Sequence, residues 1–429
     1  MDLTQNLWER FGFRDNPYDT RALSLSSDSL LPIEQAYVGR DDTSEESRIM
    51  TNFFRNPGGG RIVVEGDVGV GKTTFVNFHR YRWETEAQDK LLTPSSEISV
   101  QVNWSAEDFL VASLGALVNR LLLLKGKKWV EKQPVVAETA ALTRVHIERN
   151  LELSGTLTIL GTGGGGGARR GRDATIPEVP ITQLVDYLNE FIKIIKKLGY
   201  AGATLHFNNL ELLTTRGDEE VRRFFDDIRD TLQTTGYYFV FVGSNGLFQR
   251  IIVPTERVRS IFFGLPVQLR TLSLKEVLRV LDTRYRLLAH DSKKWIPPVG
   301  NELIGYLYGL YGGRIRFIMD SIGRLVSHVP ESLPGTISDE LAKDLLGRLA
   351  RQKAMALTTH RELELLEVAA RLGEFTNSQL SAGSGMQKQN VSRALKKLLD
   401  LSLVRMRQDE DGGEAYAVVD EMRLLGGGQ

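Results

Sequence analysis

Hydrophobic and polar positions along the 429-residue chain switch between two periods. Arg61 to Glu65 is a short apolar run that predicts a buried strand, and a Gly-rich turn then leads into a helix through about Arg82. Residues 96–105, SEISVQVNWS, alternate as a second strand, and AEDFLVASLGALVNRLLLL after them has apolar residues at helical spacing. Three further strands are expected in YAGATLHFNN, GYYFVFVGSNGLFQRI (236–251) and IFFGLPVQL (261–269). The middle one is nearly all apolar at its start, as fits a strand covered on both faces. Strands alternating with helices in this order imply an α/β fold with a doubly wound parallel sheet. LSLKEVLRVLDTRYRLL and NELIGYLYGLYGGRIRFIMDSIGRLV then predict helices. From about residue 336 the pattern becomes helix (358–373), short helix and turn, longer helix (386–404), strand, Gly-Gly turn, strand, which is a winged-helix plan.

The first helix and the third strand lie roughly 120 residues apart, more than one helical passage needs. The surplus is an insertion at about 127–180. Within it Leu151 to Leu160 alternate as a strand, followed by the Gly163–Gly167 run and by Arg169, Arg170 and Arg172. A flexible, solvated loop tip and a hairpin that carries three arginines to a phosphate backbone both fit this stretch.

Composition narrows the classes. Lys+Arg and Asp+Glu are both 54, so any basic surface must be local. The absence of cysteine excludes disulfides and cysteine-based metal sites and fits a cytoplasmic setting. Six histidines without ligand spacing predict no protein-bound transition metal. The first residues, MDLTQNLWERF, lack the apolar run of a secretory signal, and no apolar stretch approaches the roughly 20 residues of a membrane span, so no membrane partner is expected.

The strongest chemical signal is Gly66-Asp67-Val68-Gly69-Val70-Gly71-Lys72-Thr73, a G-x-x-x-x-G-K-[ST] loop between a predicted strand and helix, with Thr74 next. The glycines let backbone N–H groups turn inward around a phosphate, and the helix N-terminus adds partial positive charge. Lys72 has the reach for the β- and γ-phosphates of ATP, and the Thr73 hydroxyl suits Mg2+.

Upstream, AYVGRDDTSEESRI resembles the box before the phosphate loop in AAA+ ATPases of the replication-initiator and STAND types, and FGFRDNPYDT resembles the opening of secretion- and transposition-type AAA+ ATPases. The order along the chain is similar to that of the archaeal and eukaryotic origin-recognition AAA+ proteins and their mobile-element relatives. The resemblance implies an arm at 1–35, a nucleotide-binding core at 36–270, a helical lid at 271–335 and a winged helix at 336–429. The arm is expected to pack on the ATPase core or to act directly. The resemblance places Val38, Gly39 and Arg40 against the adenine. It makes Asn245 the sensor 1 residue, Arg257 and Arg259 the arginines that reach a neighbour's nucleotide, and Arg316 (or Arg314) the sensor 2 arginine. Asn208 falls where a metal-orienting aspartate usually stands, and Asn209 where a water-activating glutamate does; Glu211 is the nearest acid. These substitutions point to slow hydrolysis.

In a winged helix the third helix enters the major groove with its N-terminal residues forward. Gln387, Lys388, Gln389, Asn390, Ser392 and Arg393 form its polar face, and Lys396, Lys397, Arg405 and Arg407 add phosphate contacts. Asp409, Glu410 and Asp411 at the wing tip oppose DNA, and such modules also dock proteins. The expected partners are duplex DNA, further copies of the chain and an unidentified protein. The expectation is an ATP-binding AAA+ protein that loads or recruits a partner on DNA. The alternative is a STAND-like nucleotide switch whose winged helix docks protein.

Overall fold

The computed structural model describes residues 6–25, 29–40, 44–154, 180–290, 294–330, 335–408 and 414–426. The chain divides into two compact units, residues 22–270 and residues 1–21 with 271–429.

The first unit is built on a six-stranded sheet of β1 (Gly59–Glu65), β2 (Leu91–Leu92), β3 (Ile98–Ser99), β4 (Gly202–Asn208), β5 (Tyr237–Gly243) and β6 (Val267–Gln268). The order is β2-β4-β5-β1-β6, with β3 beside the end of β4, and every pairing is parallel. The expected second and fifth strands are real but short. Only Ile98–Ser99 and Val267–Gln268 pair, because both lie at the margin of the sheet, and Leu91–Leu92 forms an unexpected edge strand.

The central strands are buried on both faces. On one side Phe109, Phe207, Phe239 and Phe241 stack, with Phe109 and Phe207 centroids 4.5 Å apart. On the other, Phe53, Phe54, Val64, Tyr238 and Val240 pack together. A fully buried Phe contributes about 3–5 kcal/mol relative to Ala, so these two layers fix the register that lines up the strand ends. Ser105 and Asp108 form a capping box that starts the helix Ala106–Lys125. Helices Lys127–Glu131 and Pro134–Ser154 follow, so the described part of the insertion is helical. This corrects the expected strand at Leu151 to Leu160. Its first four residues complete a helix, whose backbone hydrogen bonds override a short alternating pattern. Gly163–Gly167, Arg169, Arg170 and Arg172 lie outside the described residues.

In the second unit, helices Leu274–Leu288, Asn301–Tyr311 and Ile315–His328 precede the helices Asp339–Leu357, His360–Leu372, Asn377–Ser384 and Lys388–Asp400. The last three, with β8 (Val404–Gln408) and β9 (Glu414–Val418), follow the winged-helix plan, and β7 (Glu374–Phe375) adds a third antiparallel strand on β9. The expected continuous helix at 301–326 breaks at Gly312-Gly313, both at positive φ. The expected arm is divided: residues up to Arg21 pack on the helix Leu274–Leu288, where Phe13 bridges to Ala289, Arg284 Nη1 donates to the Pro17 and Asp19 carbonyls, and Tyr18 and Tyr285 hydroxyls meet, whereas Leu23 bonds the helix Lys72–Thr85 of the first unit.

Candidate functional site

The parallel sheet ends in a row of loops, the place where open α/β sheets bind ligands. β1 hydrogen-bonds β5 with Glu65 opposite Gly243. The phosphate loop therefore starts beside the turn after β5, and β4 ends on the other side of that turn.

The loop Gly66 to Gly71 joins β1 to the helix Lys72–Thr85. Gly69 and Gly71 both adopt positive φ, at 86° and 93°, which a residue with a Cβ avoids. Gly66 is needed for space, since a Cβ there would lie 2.8 Å from the Leu269 carbonyl. Lys72 Nζ donates to the Gly66 and Asp67 carbonyls at 2.7 and 3.0 Å, so the ammonium lies over the loop. Val68 is exposed and Val70 buried. Thr73 follows Lys72 in the first turn, and the Thr74 hydroxyl accepts the Leu23 N–H at 3.3 Å.

Asn208 Nδ2 donates to Thr73 Oγ1 at 3.1 Å. Asn208 Oδ1 accepts the Asn209 N–H at 3.1 Å, which fixes the amide with its NH2 edge toward the threonine. Asn209 sits in the left-handed region (φ 65°), a conformation Asn tolerates better than most residues, and its amide reaches Ser99 Oγ at 3.0 Å. The two positions expected to carry acid are thus neutral and hydrogen-bonded. Thr73 supplies an oxygen of the kind Mg2+ prefers, whereas Asn208 turns a donor toward it and brings no charge. The residues fit a Mg2+ that arrives with a nucleotide's phosphates, held on the protein side by Thr73. Among the described residues no group of three or more His, Cys, Asp or Glu could hold a metal ion. Glu211 lies half-buried in the 3-10 helix Leu210–Arg216.

Asn245 Nδ2 donates to Asp67 Oδ1 at 2.6 Å, tying the sensor position to the phosphate loop. Beneath them Glu65, 1% exposed, accepts the Gly246 N–H at 3.1 Å, the Phe248 N–H and Gln268 Nε2 at 2.6 Å. This carboxylate holds β1, β6 and the turn after β5 together. Nothing in the motif marks it.

Tyr37 stacks on Phe78 with centroids 3.9 Å apart, and Gly39 leaves room for that ring, since a Cβ there would strike it at 2.0 Å. Val38 is half-buried beside them. Arg40 is buried, donates to the Arg270 carbonyl and lies 3.9 Å from Glu46. Arg257 and Arg259 are exposed on the short helix Glu256–Arg259 and make no ion pair among the described residues.

Sequence inspection also missed a buried polar cluster behind the site. Asn77 Oδ1 lies 2.8 Å from Arg80 Nη1 and 3.3 Å from His206 Nδ1, and Arg80 Nη2 donates to the Pro94 carbonyl. Burial pushes the Arg80 guanidinium down to about 10. Burial, with Arg80 adding to it, holds the His206 imidazole well below its usual range.

In the second unit Arg316 is exposed on the lid helix, while Arg314 at its N-terminus pairs with Asp420. Gln387, Lys388, Gln389, Asn390 and Arg393 are all exposed at the N-terminal end of the helix Lys388–Asp400. Lys397 is drawn to Glu362 at 2.8 Å and Arg405 to Asp420 at 3.4 Å. Arg407 lies on β8 opposite Ala415. No described helix is long and apolar enough to cross a membrane.

No protein-family model and no curated protein matches the chain. Among solved structures it is similar to the Aeropyrum pernix ORC2 protein in its ADPNP-ADP complexes, at 13% identity, 96% of each chain and a TM-score of 0.51. The fold is the AAA+ fold of that ORC2 protein. The Pyrobaculum aerophilum CDC6P (13%, 94% of this chain and 99% of that one, TM-score 0.41) and the Aeropyrum pernix ORC1 protein in complex with DNA (12%, 92% and 94%, TM-score 0.44) are more distant likenesses. In AAA+ terms Lys72, Thr73, Asn208 and Asn245 stand together at one end of the sheet. Arg314 and Arg316 belong to the second unit.

Proposed function

We propose that the chain is an ATP-binding AAA+ protein of the origin-recognition type, with residues 36–270 as the nucleotide-binding core, 271–335 as the lid and 336–429 as a DNA-binding winged helix. The observation that carries this is the contact of Asn208 with Thr73 beside Lys72, which sets a phosphate loop and the end of β4 at one point. The nucleotide complexes of the similarly folded ORC2 protein support the same ligand. ATP phosphates take the loop N–H groups, the helix N-terminus and Lys72. Mg2+, when bound with them, neutralises phosphate charge, and Thr73 orients it. Without an acid at 208 or 209, turnover is slow, and bound ATP persists as a state signal. Arg257 and Arg259, exposed and without an ion-pair partner among the described residues, are free to reach a second copy's nucleotide in a homo-oligomer. Gln387, Lys388, Gln389, Asn390 and Arg393, all exposed, are presented to duplex DNA, on which the protein recruits a partner in the cytoplasm.

A second reading has its own observation. Lys397 and Arg405 are held by carboxylates, and Met406 stands 55% exposed on β8, which suits a winged helix that docks protein in a STAND-like switch. ATP binding and turnover, measured for the wild type and Lys72→Ala with and without duplex DNA, test the proposal. Loss of binding in the variant and stimulation by DNA are expected; retained binding in Lys72→Ala would refute the phosphate-loop assignment, and DNA-indifferent turnover favours the switch.

A further inference from the structure

We infer that Asp67, inside the phosphate loop, is the catalytic carboxylate of this site and does the work that the neutral Asn208 and Asn209 leave undone. The inference rests on the ATP reading above and deepens it.

The register makes the placement. β1 and β5 are neighbours with Glu65 opposite Gly243, so residues two further along each strand, Asp67 and Asn245, come abreast. Asn245 Nδ2 then fixes Asp67 Oδ1 at 2.6 Å. Asp67 is exposed at the mouth of the site, and among the described residues its Oδ2 accepts no hydrogen bond. Lys72, which bonds the Asp67 carbonyl at 3.0 Å, confines the phosphate end of a nucleotide to the same few ångströms.

The other acids are accounted for. Glu65 is buried and consumed by three donors. Glu211 is the second residue of the 3-10 helix Leu210–Arg216, and among the described residues no donor reaches its carboxylate. Asp67 is the acid that is both held by the sensor position and open to water. A carboxylate beside phosphate oxygens also repels them, so its presence weakens ATP binding, and its removal is expected to keep or tighten affinity.

The step balances simply. Asp67 Oδ2 accepts a proton from a water as the water oxygen bonds to the γ-phosphorus. The bond from that phosphorus to the β,γ-bridging oxygen breaks, and its electron pair leaves on ADP. The proton then passes from Asp67 to solvent or phosphate. Asn245 is a positioning residue that sets the carboxylate's direction.

Single-turnover hydrolysis and ATP affinity of the full chain decide the matter. Asp67→Asn is expected to keep ATP affinity within about threefold or tighten it, and to slow hydrolysis about 100-fold. Asp67→Glu recovers part of the rate, and Asn245→Ala slows hydrolysis with affinity little changed. Wild-type protein that binds no ATP would sink the ATP reading itself. ATP binding with wild-type turnover in Asp67→Asn, with a loss only in Glu211→Gln, or with no turnover in the wild type, would overturn the assignment of Asp67 alone.

Discussion

Two regions of this chain treat acidic side chains in opposite ways. At the end of the parallel sheet β4 closes on Asn208 and Asn209, held by neutral hydrogen bonds to Thr73 and Ser99. In the second unit, adjacent acids Asp420 and Glu421 gather four cations. Asp420 takes Arg314 and Arg405 (3.4 Å), and Glu421 takes Arg324 and Lys353, each at 2.5 Å. At the same strand ends the buried Glu65 takes the Gly246 and Phe248 N–H groups and the Gln268 amide, all neutral donors. The hub binds its own elements together, joining the helices Ile315–His328 and Asp339–Leu357 to the winged module. Carboxylates in the first region are met by neutral donors, and in the second by cations.

Breaking the hub is the largest expected effect. Asp420→Ala takes a carboxylate from Arg314 and Arg405, and Glu421→Ala takes one from Lys353 and from Arg324, which keeps Asp320 at 2.8 Å; each should cost about 2 kcal/mol of unfolding free energy, measured by denaturant titration. Burial pushes the Glu421 carboxyl up, but hydrogen bonds from Lys353 and Arg324 outweigh it and hold the group below the usual range. A carboxyl depressed in the folded state contributes stability above its unfolded value, 4.5, and loses it as pH falls through the folded value. Changes under about 0.5 kcal/mol would mean the four pairs are no better than exposed surface ones, and the contrast between the two regions would fail.

Restoring charge at the other end comes next. Asn208→Asp places a carboxylate against Thr73, where Mg2+ is expected, and should raise Mg2+-dependent turnover about tenfold. Unchanged turnover with unchanged Mg2+ dependence would show that the amide costs nothing, and that the site never relied on this strand for its acid.

The two regions also differ in how far they could be foreseen. The phosphate loop is legible because its glycines, lysine and threonine are consecutive and each has a local reason. Asn208 and Asn245 were placed by chain order, and the structure brings both to that loop because parallel register aligns strand ends. The doubly wound sheet followed from alternating periods. The hub was invisible: Asp420 meets Arg314 across more than a hundred residues, and no pattern in the sequence carries such a pairing. The arm's seat on the lid, the two-residue β7 and the helix through Leu151 escaped for related reasons, since each depends on a distant partner or on backbone bonds that short alternation cannot report. Asn77, Arg80 and His206 look like ordinary helix and strand residues until the helix is laid on the sheet.

Smaller effects sharpen the charged side of the comparison. Lys388 and Arg393 are exposed without ion-pair partners among the described residues, unlike Lys397. Lys388→Ala and Arg393→Ala should each weaken duplex binding several-fold and reduce the slope of log affinity against log salt by about 0.9. Lys397→Ala, already bonded to Glu362, should change it less. Equal losses at all three positions would mean that the ion pair does not withdraw Lys397 from DNA.

A pH-dependent effect lies behind these strand ends. His206 is fully buried on β4, two residues before Asn208, with Arg80 beside it on the phosphate-loop helix and Asn77 accepting from the cluster. Burial, reinforced by Arg80, keeps the imidazole neutral well below the usual value of 6.5. The sign follows from proton counts. Below about pH 6.5 the unfolded chain binds a proton at this histidine that the folded chain refuses, so stability is whole above that value and drains away as pH falls toward the folded value. The unfolding midpoint should therefore drop between about pH 7 and 5, and His206→Gln, which keeps a polar side chain without titrating, should drop less over the same range. Parallel losses in the two proteins would mean that the histidine is not the titrating group, and that acid sensitivity resides in carboxylates such as Glu421 instead.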